Sequence, residues 1–346
     1  MDEKKAAERF DDAAKCLGAL SARFNLPVSL KARVQEIRLR AGQPVVFSLP
    51  DGPVFIKENG LTASVCREVT GHQSFLSAQK ENIDEAFRLI CDCSVHSHQR
   101  EIKNGFITLG GGHRAGICGT AVTEDDAVVN IRDISSINLR VARDIAGAAD
   151  ETAKAVLNGD KALGSILFGP PGCGKTTVLR DLARRLSSGD RLLRPLCVAV
   201  IDERGELAAT YKGRRQIDLG PCCDVLDGYP KGEGILQAVR CLAPEVIICD
   251  EIGGEDDARA IKMSLNAGVT VIASAHAGSL EELMARPQIA DLVCSGAFKR
   301  AVRLYGKARP GTVAAVYGEE SLKAADVVKK YNFAQSNNKL SALYSE

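Results

Sequence analysis

Gly169-Pro170-Pro171-Gly172-Cys173-Gly174-Lys175-Thr176 is the stretch that decides the reading of this chain. The apolar run SILF precedes it and a helix-forming run from Gly174 to Ser187 follows. That strand-loop-helix setting is what a phosphate-binding P-loop requires. Its glycines let backbone N–H groups turn inward around a β-phosphate, and the helix N-terminus adds partial positive charge. Lys175 is expected to reach the β and γ oxygens and Thr176 to place its hydroxyl on Mg²⁺, with Thr177 closing the loop. The stretch therefore predicts binding of ATP with Mg²⁺, and most simply ATP hydrolysis.

Further along, EVIICD followed by Glu251 is an apolar strand ending in adjacent carboxylates, a Walker B arrangement. Asp250 is expected to hold the metal through its water shell, and Glu251 to orient or deprotonate the attacking water. A second acidic pair, Asp202 and Glu203, ends CVAVID and also falls at a strand end, so two glutamates compete for the base role. His276, just past VTVIASA, falls at a third strand end, suited to sensing a γ-phosphate, although a lone histidine is more often structural.

Around these motifs, the apolar runs SILF, CVAVID, EVIICD and VTVIASA alternate with helical stretches at Gly174–Ser187, Gly232–Leu242 and Asp256–Asn266. Continuous rather than alternating apolar runs indicate parallel strands buried on both faces. The N-terminal half reads as α+β. It has a strand pair in EIRLRAGQPVVFSL, a helix from Asn82 to Cys91, strands in GFITLGG and RAGICGTAV, and a hairpin turn at Gly110 to Gly112. The boundary is expected near residue 147, giving an α+β domain over 1–147, an α/β domain over 148–317, and a polar tail over 318–346 with no functional reading.

Composition narrows the classes. A chain of 346 residues is long enough for two cores. With 45 basic and 44 acidic residues it lacks the bulk charge of a dedicated nucleic-acid binder, so none is expected as partner. The charged N-terminus has no signal-peptide apolar core, and no stretch approaches a spanning helix. A cytoplasmic protein without direct membrane insertion is expected. The 12 cysteines are expected to be reduced, with Cys197, Cys249 and Cys294 in apolar, buried segments. Cys91, Cys93, His96 and His98 leave two readings open, a soft-metal site of unusual spacing or simply the end of a helix.

Together the P-loop, the acidic box Ile201-Asp202-Glu203-Arg204-Gly205-Glu206, the Walker B box preceded by Arg240-Cys241-Leu242-Ala243-Pro244-Glu245, and the histidine box from Asn266 to Ala277 resemble the type II/type IV secretion ATPase family. Within it the chain is similar to the branch acting in endospore formation, on IDERGELA, CDVLDGYPKGEG and CDEIGGEDDARAI. The N-terminal runs EIRLRAGQPV and INLR extend the likeness over most of the chain.

The resemblance implies an N-terminal α+β domain followed by a RecA-like P-loop ATPase domain with a mainly parallel sheet, assembled as a homo-oligomer, a hexamer. It also implies a motor on the mother-cell side that powers a secretion-like channel through a membrane-embedded subunit of a sporulation complex. The family's acidic-box glutamate maps onto Glu203 and its histidine onto His276. The family has glycine where this chain has Asp250, which leaves the base open between Glu203 and Glu251; we favour Glu251 with Glu203 in support. A ring also needs a cation supplied across its interface. Candidates are Arg38, Arg40, Arg132 and Arg140 in the N-terminal domain, and Arg214, Arg215 and Arg240 in the motor. The competing reading is a nucleic-acid-translocating RecA-like motor, and stimulation of turnover by single strands would revive it.

Overall fold

The apolar patterning resolves into two units, Met1–Asp144 with Ala209–Gln216, and Ile145–Ala208 with Ile217–Glu346. The structure, a computed structural model, describes residues 3–57, 62–63, 75–125, 127–143, 147–190 and 192–324. Residues 144–146, beside the expected boundary, and the tail from 325 lie outside the described residues.

In the first unit, α1 (Glu3–Ala14) buries Ala6, Ala7, Phe10, Ala13 and Ala14, a helical spacing that gives it one apolar face. Seven strands follow: β1 (Glu36–Arg40), β2 (Val46–Leu49), β3 (Gly52–Ile56), β4 (Thr62–Ala63), β5 (Phe106–Thr108), β6 (Arg114–Glu124) and β7 (Ala127–Arg140). They form one sheet in the order β4-β3-β2-β1-β7-β6-β5. Every pairing in it is antiparallel. The strand pair read from EIRLRAGQPVVFSL is β1 and β2, with Ile37 opposite Phe47. Phe24 meets Phe47 edge-on with ring centroids 5.2 Å apart, anchoring a core that includes Leu17, Ile37 and Leu139.

The expected helix is α2 (Lys80–Ile90). Gly110–Gly112 is the turn of the β5–β6 hairpin, as read from sequence. The segment Ala209–Gln216 belongs to this unit, where Gln216 accepts from the Gly111 N–H at 2.8 Å and the Tyr211 hydroxyl bonds Asp92.

The second unit carries the α/β alternation. Its strands are β8 (Ser165–Gly169), β9 (Val198–Asp202), β10 (Cys223–Asp227), β11 (Val246–Cys249), β12 (Thr270–His276), β13 (Arg300–Leu304) and β14 (Val313–Gly318). Their order is β10-β9-β11-β12-β8-β13-β14. All pairs are parallel except β13 with β14. Every residue of β8, β9 and β11 is buried, the physical counterpart of their unbroken apolar runs. Its helices include α3 (Asp150–Val156), α4 (Lys175–Ser188), α5 (Lys231–Cys241) and α6 (Glu255–Asn266). The polar run from Gly318 begins as structure: Gly318 closes β14, and the helix Glu319–Ala324 buries Leu322.

Among the described residues eleven cysteines are free. Cys249 is buried and Cys294 half-buried, but Cys197 is exposed, against expectation. It stands just before β9, where its N–H bonds the Glu245 carboxylate at 3.1 Å, so the apolar run starts one residue later than the composition implied. Burial pushes the Cys16 and Cys249 thiols up to about 12 and Cys91 to about 11. Cys91 is buried at the C-terminus of α2, Cys93 is exposed, and His98 Nδ1 lies 2.6 Å from Glu101. Among the described residues no group of three or more His, Cys, Asp and Glu is placed to hold a metal ion.

Candidate active site

Parallel strands bring their carboxyl ends to one edge, so the motifs after β8, β9, β11 and β12 are neighbours although far apart in sequence. The P-loop leaves β8 at Gly169, and α4 starts at Lys175. Gly174 is the N-cap residue with φ +92°, a left-handed conformation that costs a residue with a side chain. A Cβ there would also stand 2.7 Å from the Gly311 backbone nitrogen. The Gly311 N–H donates to the Cys173 carbonyl at 2.8 Å, so the turn before β14 buttresses the loop from outside. Cys173 is buried, Pro170 half-buried, and Pro171 and Gly172 exposed; Thr176 and Thr177 occupy the first turn of α4, half-buried.

Lys175 is 7% exposed. Its ammonium donates to the carbonyls of Gly169 at 2.9 Å and Pro170 at 3.3 Å, and lies 2.9 Å from His276 Nδ1. An ammonium only donates, so His276 Nδ1 accepts and the ring proton sits on Nε2. That nitrogen is 3.7 Å from Glu251 Oε2, which Arg204 also approaches at 3.6 Å. The Arg286 guanidinium bonds the His276 carbonyl, fixing the end of β12. Burial pushes the Lys175 pKa below its ordinary value. The P-loop lysine, the histidine box and the Walker B glutamate thus form one connected row.

The acidic pair after β9 divides its labour. Asp202 is fully buried, and its carboxylate accepts the N–H groups of Glu206 at 2.7 Å, Leu207 at 3.0 Å and Ala208 at 2.7 Å. Those three bonds tie it to the turn it shapes. Glu203, beside it, is exposed at the sheet edge.

A residue that the sequence reading did not weigh joins the two acidic boxes. Lys231, the first residue of α5, is 5% exposed. Its ammonium lies 2.7 Å from the Glu251 carbonyl, 3.2 Å from Glu203 Oε2 and 3.2 Å from Asp250 Oδ1. Burial works against its charge, and Asp250, Cys249 and Glu203 together more than offset this, leaving the Lys231 pKa above its ordinary value. Burial pushes Asp250 up in turn, opposed by Lys231. In the sequence Lys231 stands inside CDVLDGYPKGEG, a run that carries the resemblance alone, where a Pro-Lys pair opening a helix reads as an ordinary solvated start.

Next to the P-loop lies a cavity of about 320 Å³ lined by Gly147, Ala148, Asp150, Glu151, Gly174, Thr177 and Pro310 to Thr312. Of these residues the sequence marked only Gly174 and Thr177, through the P-loop. Of the arginine candidates, Arg240 is exposed in the last turn of α5, about 14 Å along the helix from Lys231 at a 1.5 Å rise per residue. It therefore stands away from its own protomer's cluster. Arg140 is exposed at the end of β7, 3.9 Å from Glu36. Arg38 bonds Glu36 at 3.0 Å, Arg132 lies 3.7 Å from Asp133, and Arg40 is exposed. Arg214 and Arg215 group with the first unit rather than the motor.

A nucleotide with Mg²⁺ fits these residues. Asp250 Oδ1 is buried and 3.2 Å from the Lys231 ammonium, and a carboxylate oxygen with one such partner keeps a second lone pair for a metal-bound water. The Gly174 turn is a cradle that a Cβ would fill.

Parallel sheet, P-loop and clustered strand-end carboxylates define a RecA-like P-loop fold. The crystal structure of the pilus retraction motor PilT with bound ADP shares that fold, with TM-score 0.52 at 14% identity over 90% of this chain and 89% of that one. More narrowly, the chain belongs to the family described as sporulation stage III, protein AA, which matches residues 16–324. It is 35% identical over 300 residues to stage III sporulation protein AA of Bacillus subtilis (strain 168), covering 87% of this chain and 92% of that protein. Uncharacterized protein ycf45 of Porphyra purpurea is 32% identical over 191 residues, 53% of this chain and 31% of that protein. Among the described residues no helix is long and apolar enough to cross a membrane.

Proposed function

We propose that the chain is a Mg²⁺-dependent ATPase, the motor of a secretion-like channel complex in endospore formation. The observation carrying this reading is the row that joins Lys175 to His276 and His276 to Glu251 across three strand ends. Bound Mg²⁺ would neutralise charge on the β and γ oxygens. Lys175 binds those oxygens once it leaves the carbonyls of Gly169 and Pro170. Thr176 and Asp250 would hold the metal, Asp250 through its water shell. Glu251 takes the proton of the attacking water, with Glu203 in support, and His276 registers the γ-phosphate through the bond it shares with Lys175. The cavity beside Gly174 and Thr177 receives the base and ribose.

Family membership and the shared fold support a homo-hexamer, with Arg140 or Arg240 reaching a neighbour's site. They also support action on the mother-cell side, in the cytoplasm, at the membrane through an integral subunit of the kind of stage III sporulation protein AB.

The test is steady-state ATP turnover by purified protein. Lys175→Ala should abolish it, and Glu251→Gln should lower kcat by about 10²–10³-fold with nucleotide affinity kept. Normal turnover in Glu251→Gln alongside loss in Glu203→Gln would reverse the two glutamates. Wild-type protein that turns over no ATP in the presence of Mg²⁺ would sink the reading.

A further inference from the structure

Two acidic segments that follow different strands, β9 and β11, meet on one buried ammonium. Lys231 contacts the Glu203 side chain, the Asp250 side chain and the Glu251 main-chain carbonyl, all within 3.2 Å. Both glutamates that compete for the base role, and the carboxylate assigned to the metal, are thus tied to a single atom. A charge with 5% exposure is costly unless paired, so its retention at this point asks for a reason. Surface lysines are flexible; this one is pinned at the first position of α5, with Pro230 fixing the entry.

Resting on the ATPase reading above, we propose that Lys231 is a positioning residue: it holds Glu203 beside Asp250 and fixes the backbone at Glu251, setting the geometry of the water-activating carboxylates. It binds no phosphate itself. Its cation also balances Asp250 and Glu203, which would otherwise repel at the shared sheet edge. Lys231 therefore competes with Mg²⁺ for the field of Asp250, and in return keeps the carboxylates in register for turnover. A displacement near 1 Å at such a site costs on the order of 10²-fold in rate.

The experiment compares wild type, Lys175→Ala, Lys231→Met, Lys231→Arg, Glu203→Gln and the Glu203→Gln/Lys231→Met double variant. The readouts are ATP turnover, fluorescent mant-ADP binding titrated with Mg²⁺, and thermal unfolding. Lys231→Met should lose about 10²-fold in kcat while mant-ADP affinity at saturating Mg²⁺ stays within about threefold. The Mg²⁺ concentration giving half-maximal binding should fall by about threefold or more, because a competing cation is gone. Lys231→Arg keeps the charge, and so the fold, but not the three-point geometry, and should lose about tenfold in kcat. The double variant should be little worse than the poorer single one, since both changes break the same contact.

Wild-type kcat in either folded Lys231 variant, or additive losses in the double variant, overturns the proposal. An inactive wild type sinks the ATPase reading instead; normal, Lys175-dependent wild-type turnover with unaffected Lys231 variants sinks only this inference.

Discussion

Gly174 shows how one residue type is dictated by two independent constraints. Its φ of +92° excludes a side chain on conformational grounds, and the nearby Gly311 nitrogen excludes a Cβ on steric ones. A left-handed residue with a Cβ costs roughly 1–2 kcal/mol, and the backbone clash adds to it because backbone yields less than a flexible side chain. The strain falls at the N-terminus of α4, where the amides converge. Gly174→Ala should therefore weaken mant-ADP binding by more than about tenfold and lower the unfolding midpoint; the two titrations are made on the same preparation. Unchanged affinity would show that the loop tolerates another backbone path. Asp202 is the complementary case, a buried carboxylate in an acidic box that accepts three backbone N–H groups of the turn after it. Its neighbour Glu203 is exposed and within 3.2 Å of Lys231.

At the scale of elements, α3 and α4 are joined by a buried charge network. Asp181 on α4 is 4% exposed and accepts from the Ala149 N–H at 2.9 Å, Arg185 at 3.2 Å and Arg184 at 2.7 Å, while Arg185 bonds Asp150 of α3. Removing one partner of a buried pair strands the other. Because Asp150 and Asp190 still face Arg185, Asp181→Ala should cost about 2–3 kcal/mol rather than the full penalty, read from urea unfolding. Asp150 and Glu151 also line the cavity beside the P-loop, so nucleotide affinity should fall in the same variant. An unchanged urea midpoint would refute the network's role.

The same scale shows what could be read in advance. β8, β9, β11 and β12 were legible because strands buried on both faces leave unbroken apolar runs. β10 was missed: CDVLD is an edge strand with a single buried residue, and it looks like part of a loop. The P-loop, Asp250, Glu251, Glu203 and His276 were legible because each follows a readable strand. Lys231 was not, because only the tertiary approach of β9 and β11 buries it. The cavity residues Gly147, Ala148 and Pro310 to Thr312 come from segments brought together by folding alone.

For the whole molecule, the question is whether one chain holds a complete site. The residues clustered at the strand ends supply a lysine, a histidine and carboxylates, and the buried cations Lys175 and Lys231 are each held by the chain's own oxygens. Arg204, exposed and 3.6 Å from Glu251, is the chain's own candidate for meeting the transferring phosphoryl group, and in a ring a neighbouring protomer would supply a second. Arg140 has the exposure for it, with 66% of its side chain open and only a long 3.9 Å contact to Glu36. Arg140→Glu should leave mant-ADP affinity within about threefold and reduce turnover on the order of 10³-fold, the scale of a trans arginine. A mixing experiment separates a trans role from local damage. Arg140→Glu subunits keep an intact P-loop, and Lys175→Ala subunits keep Arg140, so rings assembled from both should contain sites with every group present. Turnover should then rise above that of either variant alone and peak near equal proportions, measured across mixing ratios with native mass spectrometry confirming mixed rings. Mixed rings without recovery would exclude Arg140 and direct the same experiment to Arg240, whose place in the last turn of α5 already sets it apart from its own protomer's cluster.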